Sequence, residues 1–123
     1  MRDKVQRTSI FFLSRARDFQ EAVWTPGVDV YRRRSGWLVK CDLAGVRRED
    51  VAISLEGSNL SIRGIRRDAM ADEGWEHDSM EIPYGRFERS IALPENLAGA
   101  GITAHYHDGM LLVRVRFDEG ADE

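Results

Sequence analysis

Cysteine is nearly missing from this chain: Cys41 is the only one in 123 residues. That excludes an internal disulfide and any metal site built on cysteine pairs. Within VKCDL it alternates with Val39 and Leu43, so it is expected to point inward as a small reduced hydrophobe. Long apolar runs are missing too. None approaches the ~20 residues that a membrane-spanning helix needs. The only apolar run near the start, Ile10 to Leu13, is shorter than the ~7–15-residue core of a secretion signal. A cytoplasmic location is the expectation.

The residues of chemistry are equally sparse. No glycine-rich loop ends in the lysine of a phosphate cradle, so no ATPase is suggested. Gly57-Ser58-Asn59 reads as a turn and lacks the flanking glycines of a nucleophile elbow. His105 and His107, two apart on one strand face, have no cysteine or carboxylate with them to complete a convincing metal set, even with His77. No nucleophile, base and orienting group stand together. The expectation is no catalytic residue, no metal and no cofactor.

What is present is charge, unevenly spread. The net charge is −3, but residues 1–67 carry +6 and residues 68–123 carry −9. Such a split hints at self-association or a nucleic-acid face. With a pI near 5.6, the triplet Arg32-Arg33-Arg34 is weak evidence for nucleic acid.

Two kinds of periodicity follow. Phe12, Ala16, Phe19 and Val23 recur at helical spacing, with Thr8 or Ser9 as a cap, until Trp24-Thr25-Pro26-Gly27 breaks the pattern. From Val28 on, the chain alternates at period two. Trp37, Val39, Cys41 and Leu43 share one face. So do Val51, Ile53 and Leu55, then Leu60 and Ile62, Phe87 and Ile91, and Ile102, Ala104 and Tyr106. Asp108-Gly109 between two alternating runs is a strong hairpin signal. About seven short strands argue an all-β antiparallel sandwich. Asp68 to Tyr84 is long for a connection between strands, and loops of that length are usually functional or disordered.

Several separated motifs resemble those of the small heat-shock proteins (Hsp20/α-crystallin family), in their bacterial form. They are Trp24-Thr25-Pro26 before Val28-Asp29-Val30, DLAGV at Asp42–Val46, LSIRG at Leu60–Gly64, GRFERSIALPENL from Gly85, and the closing series Ala104, Gly109, Leu111 and Val115. DLAGV carries Ala44 where the family favours proline. The resemblance implies an immunoglobulin-like antiparallel β-sandwich (the α-crystallin domain) over residues 24–117. A partly helical N-terminal segment, 1–23, would precede it, and a short acidic tail, 118–123, would follow.

It also implies an ATP-independent holdase that binds partly unfolded clients. The working unit would be a homodimer in which loop 68–84 crosses to the partner's first strand, with the crossing strand near Trp75 to Met80. Arg89 aligns with an interface arginine of the family. The loop's acids, Asp68, Asp72, Glu73, Glu76, Asp78 and Glu81, would face Arg32, Arg33 and Arg34 of the partner, adding rate and specificity to association. The interface expected is thus Arg32–Arg34, Trp75, Glu76, Glu81, Arg86 and Arg89.

Client contacts are expected at Phe11, Phe12, Leu13, Phe19 and Trp24, which suit a solvated tail poorly. Val51, Ile53 and Tyr106 are added as the rim of a groove. The family's C-terminal Ile-x-Ile anchor, which docks on a neighbour's groove, has no counterpart in FDEGADE. That groove is left to a client or to the N-terminal segment, through which higher oligomers would also form. Neither nucleic acid nor membrane is an expected partner. The competing reading is a p23/CS-like interaction module on the same sandwich, without holdase activity.

Overall fold

The computed structural model describes residues 2–5 and 23–117. Within them lie eight strands: β1 (Arg2–Val5), β2 (Val28–Arg33), β3 (Gly36–Asp42), β4 (Val51–Glu56), β5 (Asn59–Arg66), β6 (Gly85–Ala92), β7 (Gly101–His107) and β8 (Met110–Arg116). They pair antiparallel in two sheets, ordered β1-β7-β8-β3-β2 and β4-β5-β6.

Alternation explains both sheets. Val39 and Cys41 on β3, Leu111, Val113 and Val115 on β8, and Ile102 and Ala104 on β7 turn one face inward. Opposite them stand Val51, Ile53, Leu55, Leu60, Ile62, Phe87 and Ile91. These buried side chains form a single apolar cluster, closed below by Leu93, Leu97 and Ala100. Each fully buried large aliphatic or aromatic contributes about 1.5–3 kcal/mol. The sandwich expected from the sequence is the one observed.

Two glycines are required by geometry. Asp108 and Gly109 both take left-handed backbone, φ 53° and 80°, which closes the β7–β8 hairpin tightly. Gly64, the glycine of LSIRG, lies under the short 3₁₀ turn Arg48–Asp50, and a Cβ there would collide with the Asp50 carbonyl oxygen.

Two departures from expectation stand out. β1 was not anticipated, because Arg2-Asp3-Lys4-Val5 shows no alternation. It pairs along the edge of β7, Arg2 opposite His105 and Val5 opposite Ile102. The amphipathic helix expected across Thr8 to Val23 falls almost wholly on residues 6–22, outside the described residues. Phe11, Phe12, Leu13 and Phe19 lie there as well, as does the acidic tail from Asp118.

Candidate functional site

Most large apolar residues are hidden, so the exceptions define the site. Among the described residues the exposed ones are Val23 ahead of β2, Val30 and Tyr31 on β2, and Met70, Trp75, Met80 and Ile82 on loop 68–84. Trp75 is 66% and Ile82 59% exposed, so neither is packed within the single subunit. Apolar surface gathered in this way marks a contact to another molecule. Only Trp75 of these appears in the interface expected from the sequence. Met80 and Ile82, which flank Glu81 in alternation, carried a signal that was readable.

The loop leaves the sandwich from a rigid base. Arg66, at the end of β5, is nearly buried. Its Nε donates to the Ala44 carbonyl at 3.0 Å and its Nη1 to the Pro83 carbonyl at 2.9 Å. One side chain thereby ties the loop's far end to the β3–β4 turn. Its guanidinium also lies over the Trp24 ring, 4.4 Å from the centroid. Arg66 sits in phase with Leu60 and Ile62, and a cation on an inward phase was the sequence signal for this clamp.

Next to it, Arg67 holds Asp50 with two hydrogen bonds, 3.0 and 3.1 Å, and Arg47 adds one of 3.3 Å. Burial raises the pKa of the Asp50 carboxyl, but the hydrogen bonds from Arg67 and Arg47 outweigh it, so the carboxyl sits below its ordinary value. Farther out the loop folds on itself. Asp68 accepts from the Met70 amide and meets His77 Nε2 at 3.0 Å. A recess of about 520 Å³ lined by Met70, Trp75, Met80, Ile82 and Tyr84 opens there. Trp75 to Met80 is not a strand within one subunit.

β2 is the open edge of the larger sheet, and all but its first residue are exposed. Arg32 is engaged within its own chain. It meets Glu95 at 3.4 Å and stacks over Trp37, whose Nε1 donates to Glu95 at 2.9 Å. With side chains 61% and 36% exposed, the Arg32–Glu95 pair is a surface ion pair that contributes about 0–1 kcal/mol. Arg33 and Arg34 are exposed at the same strand end. Glu76 and Glu81 are exposed on the loop, and Arg86 is half-buried on β6. Arg89 shares the face of Phe87 and Ile91, is half-buried, and donates to the Pro26 carbonyl at 3.4 Å.

Three residues expected at client contacts are placed elsewhere. Val51 and Ile53 are core residues, 2% and 1% exposed, because the alternating face that suggested a groove rim is the face that meets the other sheet. Trp24 is half-buried. It packs against Phe87 with ring centroids 5.1 Å apart and donates its indole N–H to the Gly85 carbonyl at 3.0 Å. Tyr106 is half-buried on β7 and lines a shallow recess of about 580 Å³ with Leu43, Val46 and Gly109. Burial also raises the pKa of its phenol, so it stays neutral.

Cys41 is buried, as its strand phase required. Desolvation foremost, with the nearby Asp42 charge, pushes its thiol up to about 12, which leaves it protonated and unreactive. Among the described residues no three histidines, cysteines or carboxylates converge as a metal set, and no helix is long and apolar enough to cross a membrane. What the arrangement offers is strand edges and apolar side chains.

Known proteins share this arrangement. Residues 29–123 match the model of the Hsp20/alpha crystallin family. The chain is 34% identical over 94 residues to the 18 kDa antigen 2 of Mycobacterium avium, covering 76% of this chain and 67% of that one. It is 28% identical over 90 residues to small heat shock protein C2 of Rickettsia felis, covering 73% and 58%. The chain thus spans little more than half of that relative's length. Among solved structures, hspA from Xanthomonas axonopodis superposes with a TM-score of 0.65 at 32% identity, over 77% of this chain and 95% of that one. A small heat-shock protein from Xylella fastidiosa, described as having a distinct high order structure, gives 0.66 at 28%, over 83% and 94%. A sandwich of this topology, with its motifs in order and a family match from β2 onward, makes the chain a member of the Hsp20/alpha crystallin family of small heat-shock chaperones.

Proposed function

We propose that the chain is an ATP-independent holdase that works as a homodimer joined by exchange of loop 68–84. The observation that carries the dimer is the pairing of surpluses. Trp75, Met80 and Ile82 are exposed on the loop, and Val30 and Tyr31 are exposed on the unpaired edge strand β2. A loop laid along a partner's β2 gains a ladder of backbone hydrogen bonds and removes both apolar sets from water. The loop's carboxylates then approach Arg32–Arg34 of the partner. Arg32 trades one weak surface pair, to Glu95, for another. Arg66 and Arg67 fix the direction in which the loop departs.

Holding a client needs no reactive centre. Binding the partly unfolded state withdraws it from aggregation by mass action. Family membership supports that role. Phe11, Phe12, Leu13 and Phe19 are the side chains we assign to client contact, in the cytoplasm, with refolding left to ATP-using chaperones. The test is a turbidity assay. An aggregation-prone client is heated with the chain, without nucleotide, beside a version lacking residues 1–23. Protection by the full chain at near-stoichiometric ratio is expected, and its loss on truncation. No protection by the full chain ends the holdase reading; equal protection by the truncated chain moves the client site onto the sandwich. Light scattering gives the mass, and a monomer at micromolar concentration ends the exchanged dimer.

A further inference from the structure

His77 is a loop residue that neither the dimer nor the holdase reading uses. Loop 68–84 carries six carboxylates, and His77 is its only side chain able to hold positive charge. Its Nε2 lies 3.0 Å from Oδ2 of Asp68. We infer that this pair is a latch that keeps the loop folded on its own subunit, so that a proton bound at His77 opposes loop exchange and loosens the dimer. The inference rests on the exchanged-dimer reading and adds its regulation.

Three observations carry it. The first is placement. Asp68 belongs to the fixed root of the loop. It directly follows Arg66 and Arg67, which are tied to the carbonyls of Ala44 and Pro83 and to the Asp50 carboxylate. His77 stands in the middle of Trp75 to Met80, the segment that has to lie along the partner's β2. Drawn out as a strand, a separation of nine residues spans about 30 Å. The latch instead holds the two side chains in contact. A subunit can keep it or extend the loop, not both.

The second is the setting of the pair. Asp68 shows only 17% of its side chain, against 52% for His77. Its Oδ1 accepts from the Met70 amide at 3.1 Å, which leaves Oδ2 turned to the imidazole. Around it the loop is held by the 3₁₀ turn Ala69–Glu73 and by the Trp75 amide, which donates to the Met70 carbonyl at 3.4 Å. A carboxylate aligned in this way accepts a hydrogen bond from the neutral ring and gains an ion pair when the ring is protonated.

The third is the surrounding charge. Among the described residues, the recess that His77 shares is lined by Asp68, Glu76, Asp78, Glu81 and the Tyr84 phenol, with no lysine or arginine. Positive charge is therefore stabilised in the closed loop. On the partner's β2 its neighbours are Arg32–Arg34, where positive charge is repelled. Both effects bind the proton more tightly to the closed loop, so by linkage the dimer loosens as pH falls through the ordinary imidazole range, about 6–7. His105 and His107, the other histidines, lie on β7, three strands from β2. Two loops open for each dimer, so the effect of one latch enters twice.

The experiment is sedimentation of the full chain near pH 8 and near pH 6 at one ionic strength, which reads the dimer Kd. A latch held about twofold to threefold more strongly when protonated raises that Kd about fourfold to ninefold across the interval. Asp68→Asn keeps Oδ1 for the Met70 amide and removes the acceptor that faces His77. It is expected to form a tighter dimer than wild type, most of all near pH 6, with a nearly flat profile. His77→Gln is expected to stay flat at the wild-type value found near pH 8.

A wild-type Kd that does not change with pH overturns the latch. So does a pH dependence that survives in Asp68→Asn. A weaker Asp68→Asn dimer overturns it as well, because that is the effect of simply losing a loop carboxylate opposite Arg32–Arg34. Those three results leave the exchanged dimer standing. Monomers in wild type and both variants at either pH end the exchanged dimer and the latch together.

Discussion

The two edges of the five-stranded sheet are opposites. Among the described residues, the β7 edge is covered by a short charged strand of the same chain, whereas the β2 edge is bare and shows Val30 and Tyr31 to solvent. Both edges flank the same core, so the difference lies in what the chain brings to each. A covered edge serves the solubility of the single subunit. A bare, partly apolar edge, on a chain that also carries an exposed Trp75 loop, is the edge that the proposed dimer uses.

The severest way to break the comparison is to remove what both edges stand on. Phe87→Ala takes a fully buried ring from between the sheets and from Trp24, and about 3–5 kcal/mol of stability is expected to go, measured by urea unfolding. Gly64→Val belongs beside it, because its side chain collides with the Asp50 carbonyl and with Phe87. Soluble, fully cooperative folding of that variant at wild-type Tm would refute the close approach.

A sharper cut acts on the bare edge alone. Trp75→Ala with Ile82→Ser is expected to weaken the dimer by roughly tenfold to a hundredfold, as loss of a buried aromatic anchor does. Sedimentation should show this with monomer stability unchanged, since both side chains are exposed in the single subunit. An unchanged dimer would mean that the loop does not bury them.

At the loop's root the lever is pH. The Asp50 carboxyl is held below its ordinary value, so its contribution is complete above the unfolded pKa of ~3.9 and is lost as pH falls through the lower folded value. Tm should therefore drop below about pH 4, and Asp50→Asn should flatten that part of the profile at a cost of about 1–2 kcal/mol at neutral pH. A parallel pH profile in the variant would detach Asp50 from acid sensitivity.

The mildest test is Arg32→Glu with Arg33→Glu and Arg34→Glu. Monomer stability should shift by no more than ~1 kcal/mol, and the dimer should loosen several-fold at low salt but little at high salt. A salt-independent change would place the effect in packing rather than charge.

Alternation made β2 through β8 legible, with the Asp108-Gly109 hairpin and the inward Cys41, because a period of two and a left-handed turn are local properties. Alternation does not say what lies across the sheet. Val51 and Ile53 therefore read equally well as a rim and as a core, and burial decides for the core. Trp24 reads locally as the end of a helix. Its actual partners are distant in sequence: Phe87 and the Gly85 carbonyl on β6, and the Arg66 guanidinium. β1 is the extreme case, since RDKV has no strand pattern and is a strand because the β7 edge is there to pair with it.

By itself, then, the order of residues determined the sandwich, its family and the long acidic loop, all of which are written in short-range patterns. Tertiary structure alone decided which edge is covered and which is bare, and that Arg66 clamps the loop while Arg32 is taken up by Glu95. Those outcomes depend on groups brought together across the sheets from distant positions in the chain, and no local pattern records such meetings.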